Sequence, residues 1–349
     1  MDRMNALVLL KPGEIQFQSV PKPIPEKGEA LIRVKACGIC GSDIPRIFGN
    51  IAYYYPSIPG HEFAGEIIEV GDFNHDGGWV GKRVTVFPLI PCYQCRFCQI
   101  GLYEICENYG YIGSRRNGAF AEYVNVPVAN CMELPENVSY ECGALSEPAA
   151  VTLHALRRSL IPFGKTVAVF GLGPIGVLFG IWAKISGVRR LIGFDIDPQK
   201  VDFARKNGFD DAIIPEPEKL EEAVERNTEA FGFDLTCEAS GSSRALVDSI
   251  KITHKFGEII LLGNQEREVT LTPQEISLIL RKQLTLHGTW NSRFTHIGSD
   301  WKAVLEFENS GQANFKPFIS HRLSLEEAPE FILFMKNKKV FYNKVLIIP

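Results

Sequence analysis

Over the first 147 residues the apolar positions come in short runs that break at glycine and proline. Ala30 to Ala36, Ala64 to Val70, Arg83 to Phe87 and Phe120 to Val126 read as strands, and no long stretch of helically spaced apolar residues separates them. The region from about Met4 to Glu147 is therefore expected to be mostly β and rich in loops.

From Thr166 the rhythm changes. Thr166 to Phe170, Arg190 to Phe194, Ala212 to Ile214, Phe233 to Cys237 and Glu258 to Leu262 read as strands. Between them lie helical stretches at Pro174 to Ser186, Pro198 to Asn207, Glu218 to Thr228 and after Ser242. Repeated βα units of this length predict an α/β fold, a parallel sheet with helices on both faces. The rhythm fades after about Gly288, and Lys344 to Ile348 is again β-like. The expected organisation is a β-rich domain made of residues 1–153 and 289–349, interrupted by a doubly wound domain at 154–288.

Composition narrows the functions. The chain has 349 residues, 45% apolar and 22% charged, which excludes disorder, collagen and coiled coil. With 37 basic and 41 acidic residues the net charge is −4, so there is no basic excess for nucleic acid, although a small anion is still a possible ligand. The early apolar run Ala6 to Leu10 is too short for a signal peptide core or a membrane span, and a cytoplasmic protein without a membrane partner is expected. Nine cysteines is an odd number, and four of them fall between Cys92 and Cys106, which in a reducing compartment points to a metal before disulfides.

Those four form Cys92-x2-Cys95-x2-Cys98-x7-Cys106. The spacing suits a closed tetrahedral zinc with no position left for water, a site that folds its lobe and catalyses nothing. An iron–sulfur cluster is the competing use of short cysteine gaps, but the run lacks the three-residue gap and following proline of the bacterial pattern. A zinc ribbon gripping nucleic acid through Arg96 and Phe97 is disfavoured by the net charge.

Cys37-Gly-Ile-Cys40-Gly-Ser42-Asp43, Gly60-His61-Glu62 and the distant Glu147 supply a second set of possible ligands. Three protein ligands and a water make a catalytic zinc site with an open position. Taken singly these residues are ordinary: a turn, surface carboxylates, a core thiol.

A third signal is Gly171-Leu172-Gly173-Pro174-Ile175-Gly176, which follows a predicted strand and opens a predicted helix, the context that a dinucleotide-binding G-x-G-x-x-G requires. Asp195 ends the next strand, where a carboxylate would bond a ribose 2′-hydroxyl and repel a 2′-phosphate, favouring NAD over NADP. Its alternative role, capping the helix at Pro198, suits Asp197 better. Lys200 is a further candidate near the ribose, or a solvated helix lysine.

Taken in this order and at this spacing, the motifs resemble those of the zinc-containing medium-chain alcohol and polyol dehydrogenases, over essentially the whole chain. The resemblance implies a GroES-like β-rich catalytic domain with an inserted Rossmann domain, two zinc ions, NAD, and a homodimer or homotetramer. It implies that Cys40 and His61 ligate the catalytic zinc, with Glu62 and Glu147 as carboxylate ligands or exchange partners for water. It also implies that Ser42 accepts the substrate's proton and that Asp43 orients His61. One departure stands out: Pro45 occupies the place where many members carry a proton-relaying histidine.

A narrower resemblance, to dehydrogenases of hexitol phosphates, rests on Cys40 to Phe48, Tyr54-Tyr-Pro56, Pro88 to Pro91, Tyr111 to Gly118, Arg281 to Thr285 and Gly288-Thr-Trp290. It implies oxidation of a secondary alcohol, galactitol 1-phosphate to tagatose 6-phosphate. The adjacent Arg115 and Arg116 suit forked hydrogen bonds to phosphate, or form a solvated pair. Arg46, Lys282 and Tyr53 are further candidates for the substrate channel. Sorbitol, butanediol or L-threonine oxidation on the same scaffold is the alternative, and a silent zinc- and NAD-binding protein is the alternative from another class.

Overall fold

The computed structural model describes residues 2–71, 78–160, 163–265, 267–295, 298–337 and 341–349. His75 and His296 lie outside them. The chain forms two compact units, one of Met1–Glu147 with Arg293–Pro349 and the other of Pro148–Ser292.

The second unit is built on a six-stranded sheet in the order Asp211–Ile213, Arg190–Phe194, Thr166–Phe170, Phe233–Glu238, Thr253–Leu261, Thr285–Gly288. Every neighbouring pair is parallel. All five residues of Thr166–Phe170 are buried, as expected for a central parallel strand covered on both faces. Phe170 stacks on Phe194 with ring centroids 4.8 Å apart, and both pack with Leu220, Ala223 and Ile252. The five predicted strands and four helices are present. The reading of alternating units stopped short of the helix Pro273–Lys282 and the edge strand Thr285–Gly288. That helix starts at a capping box between Thr272 and Glu275, a signal that was available. From Thr166–Phe170 the chain first builds outward on one side, then crosses to Phe233–Glu238 on the other. The two carboxyl ends beside this crossing form the switch point where open α/β sheets bind ligands.

In the first unit, Arg3–Lys11 and Glu14–Pro21 form an antiparallel hairpin. A larger sheet runs Ile319–Leu323, Lys344–Ile347, Glu29–Gly38, Glu62–Val70, Arg83–Val86, Cys131–Glu133, and Tyr123–Pro127 also pairs with Glu29–Gly38. Leu7, Ile32, Val34, Phe63, Ile67, Phe120 and Val345 pack in one buried cluster. Register positions the chemistry: Leu346 lies opposite Gly38, and Gly38 lies opposite Glu62. A Cβ on Gly38 would stand 2.3 Å from a Glu62 carboxylate oxygen, so only glycine leaves that carboxylate its place. The final segment carries two helices, Asp300–Asn309 and Ala328–Lys336, before the strand Lys344–Ile347. No helix among the described residues is long and apolar enough to cross a membrane.

Candidate metal and dinucleotide sites

The four cysteines of the lobe bring their sulfur atoms within 4.8 Å of one another. Cys92 and Cys98 are 4.0 Å apart, as are Cys95 and Cys106. A tetrahedron with Zn–S bonds of about 2.3 Å has S···S edges of about 3.8 Å, so the set fits zinc with little adjustment. The loop also prepares the thiolates. The Cys92 N–H donates to Cys106 Sγ at 3.3 Å, and the Cys95 N–H donates to Cys92 Sγ at 3.4 Å. Backbone N–H groups of Glu107 and Cys98 bring the Cys95 thiol down to about 6, whereas burial pushes Cys98 up to about 12.

The second constellation is also brought together. Cys40, His61 and Glu62 offer ligand atoms within 4.8 Å of one another. Cys40 lies three residues before the short helix Asp43–Phe48, and Glu62 begins the strand Glu62–Val70. Asp43 is wholly buried and ties two of the three: its Oδ2 accepts from the Cys40 N–H at 3.0 Å, and its Oδ1 lies 3.5 Å from His61 Nδ1. Burial opposes charge on His61, but Asp43 and Cys40 outweigh it and hold the imidazole pKa well above its ordinary value. Glu147 stands outside the three-residue set, buried, with the Tyr111 hydroxyl donating to it at 3.4 Å. Burial, with Glu62 nearby, lifts its carboxyl to about 7. Ser42 is exposed and precedes the helix without making a side-chain cap, so its hydroxyl is free to meet a ligand.

Sequence reasoning missed two participants. Lys344, only 3% exposed, places its ammonium against both carboxylate oxygens of Glu62. Tyr111 turns its ring edge toward His61, centroids 5.7 Å apart, while bonding Glu147. A lysine that opens a β-like run gives no sign of burial, because its partner is set by strand register.

In the second unit the glycine loop has the geometry a pyrophosphate needs. Gly171 has φ +88° and stands against the Ser240 backbone; a Cβ on Gly176 would strike Gly171 O at 1.8 Å. A Cβ on Gly173 would meet nothing within 4 Å, which leaves open space at the start of the twelve-residue helix Pro174–Ile185, where no side chain caps the free N–H groups. Pro174 and Ile175 form the first turn of that helix. Asp195 is buried and accepts from the N–H groups of Leu172 at 2.7 Å and Asp197 at 2.9 Å. It is thus anchored behind the loop, while Asp197 caps the next helix through Gln199. Lys200 is half-buried in that helix.

The arginine pair does not form the shared fork that its adjacency suggests. Arg115 lies between the rings of Tyr53 and Tyr109, 4.7 and 4.2 Å from their centroids, and donates to the Tyr53 hydroxyl. Arg116 pairs with Glu29 at 2.8 Å. Both line a cavity of about 590 Å³ shared with Met4, Val8, Tyr54 and Asn117, whose walls include none of Cys40, Ser42, His61, Glu62 or Glu147. Arg46 instead lies at the metal constellation, its Nη1 3.1 Å from Asp43 Oδ1.

Comparison with known proteins agrees with this geometry. Residues 26–136 match the alcohol dehydrogenase GroES-like domain, and residues 174–310 match the zinc-binding dehydrogenase domain. Galactitol 1-phosphate 5-dehydrogenase of Escherichia coli K12 is 33% identical over 95% of this chain and 96% of its own. Sorbitol dehydrogenase of Bacillus subtilis is 32% identical over 99% and 97%. A candidate zinc-binding dehydrogenase of Sinorhizobium meliloti 1021, solved with NADP bound, superposes with a TM-score of 0.91 at 31% identity, covering all of both chains. The chain belongs to the zinc-binding alcohol dehydrogenase family, oxidoreductases that act on small alcohols with zinc and NAD(P).

Proposed function

We propose that this protein is an NAD-linked dehydrogenase that oxidises a secondary alcohol of a hexitol phosphate, galactitol 1-phosphate to tagatose 6-phosphate. The observation that carries the reading is the convergence of Cys40, His61 and Glu62 beside an uncapped Ser42. When bound, zinc supplies a Lewis acid that lowers the pKa of the substrate hydroxyl, and NAD supplies the hydride acceptor. Cys40 and His61 would hold the metal, with Glu62 or Glu147 completing the set.

The chain's own groups do the rest. Asp43 fixes the imidazole of His61 and the backbone of Cys40 at once. The Ser42 hydroxyl would accept the substrate's proton as it gives up its own. With Pro45 in place of an imidazole, that proton would pass onward through water or Glu147. A neighbouring substrate hydroxyl would find a carboxylate acceptor in Glu147. Asp195 favours NAD, because a carboxylate held at the end of this strand would repel a 2′-phosphate.

Identity does not choose the substrate, since the galactitol-phosphate and sorbitol relatives stand one per cent apart. A turnover panel of galactitol 1-phosphate, galactitol, sorbitol, butanediol and L-threonine, each with NAD and NADP, tests the reading, with zinc counted on the same sample. The expected result is NAD reduction fastest with the phosphate ester and two zinc ions per chain. Equal efficiency with the free polyol defeats the phosphate part. No turnover with both zincs present establishes the silent binding protein instead.

A further inference from the structure

Resting on the hexitol-phosphate reading, we infer that Arg46 is the residue that reads the substrate's phosphate, through the Nε–Nη2 edge of its guanidinium that Asp43 does not engage. The metal constellation is rich in carboxylates: Asp43, Glu62 and Glu147 are all buried in it. An anionic substrate group therefore needs a cation there whose donors are not already used. Lys344 is spent, with its ammonium against both oxygens of Glu62. Arg115 is clasped by two tyrosine rings, and Arg116 is paired with Glu29 at a cavity that holds none of the metal-ligand candidates.

Arg46 differs on each count. Its side chain is 16% exposed, and its one ion-pair partner among the described residues is Asp43, through Nη1. Nε is buried without a hydrogen-bond partner, and no hydrogen bond among the described residues engages Nη2. A buried donor left unpaired in a native fold calls for a ligand or water to satisfy it. The Nε–Nη2 edge is one of the planar forks that bind two oxygens of a phosphate together. Arg46 also lies one carboxylate away from His61. Asp43 holds Arg46 and His61 through the same Oδ1, so one carboxylate sets the distance between the phosphate fork and the metal ligand.

The test compares wild type, Arg46→Gln, Arg46→Lys and Arg115→Ala, as holoenzymes with zinc counted per chain. The readout is the ratio of kcat/KM for galactitol 1-phosphate to that for galactitol. The ratio is expected to fall at least tenfold in Arg46→Gln, mainly through KM of the ester, and to recover partly in Arg46→Lys, which restores charge without the fork. It is expected to persist in Arg115→Ala. Independently of turnover, millimolar inorganic phosphate is expected to raise the melting temperature of wild type and not that of Arg46→Gln. A preserved ratio in Arg46→Gln, or a ratio lost in Arg115→Ala instead, overturns the inference while leaving the hexitol-phosphate reading intact. A wild type with no preference for the ester defeats that reading, and the phosphate shift then decides by itself whether Arg46 holds an anion. Zinc lost from Arg46→Gln, with neither ratio nor phosphate shift altered in zinc-loaded Arg46→Lys, reduces Arg46 to a support for Asp43 and also overturns the inference.

Discussion

Lys344 and Glu62, 282 positions apart in the chain, form an ion pair that water hardly reaches. Their meeting follows from strand register, since Leu346 and Glu62 both lie opposite Gly38. Removing one partner of such a pair strands the other's charge in the interior, at a cost of about 3–5 kcal/mol. Lys344→Met is expected to lower unfolding free energy by about that amount, measured by urea titration. Gly38→Ala, which places a methyl against the Glu62 carboxylate, is expected to lower zinc content at the catalytic site with the ion pair still chemically intact.

The cysteine lobe should come apart selectively. Cys95→Ser is expected to lower metal content by one zinc per chain and to reduce the melting temperature, by metal analysis and calorimetry on one sample. In protein stripped with a chelator, Cys95 is expected to be alkylated fastest at pH 7, because its thiol is held near about 6, and the buried Cys98 slowest. The rate at Cys95 should decline as pH falls through about 6, where the thiolate takes up its proton. Zinc should protect all four.

Asp195→Ser removes a fixed charge from the end of its strand. The ratio of kcat/KM for NAD over NADP is expected to drop at least tenfold, by about 1.4 kcal/mol or more of discrimination. Asp195 also anchors the Leu172 N–H, so some loss of cofactor affinity overall should accompany the change.

Two glycines of one loop should respond differently. Gly173→Ala puts a methyl where no protein atom lies within 4 Å, so its melting temperature should match wild type while KM for the dinucleotide rises. Gly176→Ala drives a methyl into the Gly171 carbonyl and should destabilise the fold itself. Calorimetry and cofactor titration on both variants separate the two effects.

Much of this was legible in the sequence because it depends on local spacing. Continuous apolar runs such as Thr166–Phe170 declare buried parallel strands, and the cysteine gaps declare their tetrahedron. What escaped depends on which strands lie side by side. Lys344 has the look of an ordinary residue opening a strand until the register lays it against Glu62. Arg115 and Arg116 are adjacent along the chain, yet successive side chains leaving a turn diverge, one into two tyrosine rings and one to Glu29. Adjacency marked a pair where the fold makes two separate contacts, and Arg46, a further candidate from the sequence, lies beside the metal-ligand candidates.

The strand Lys344–Ile347 belongs to the same sheet as Glu29–Gly38, but the whole of Pro148–Ser292 is synthesised between them. On the ribosome, Cys40, His61 and Glu62 emerge long before the ammonium that neutralises Glu62. Until residue 344 arrives, that carboxylate must stay hydrated. The constellation of Cys40, His61 and Glu62 is therefore among the last features of the fold to reach its final form, whereas the Cys92–Cys106 lobe needs only fifteen consecutive residues and can close early.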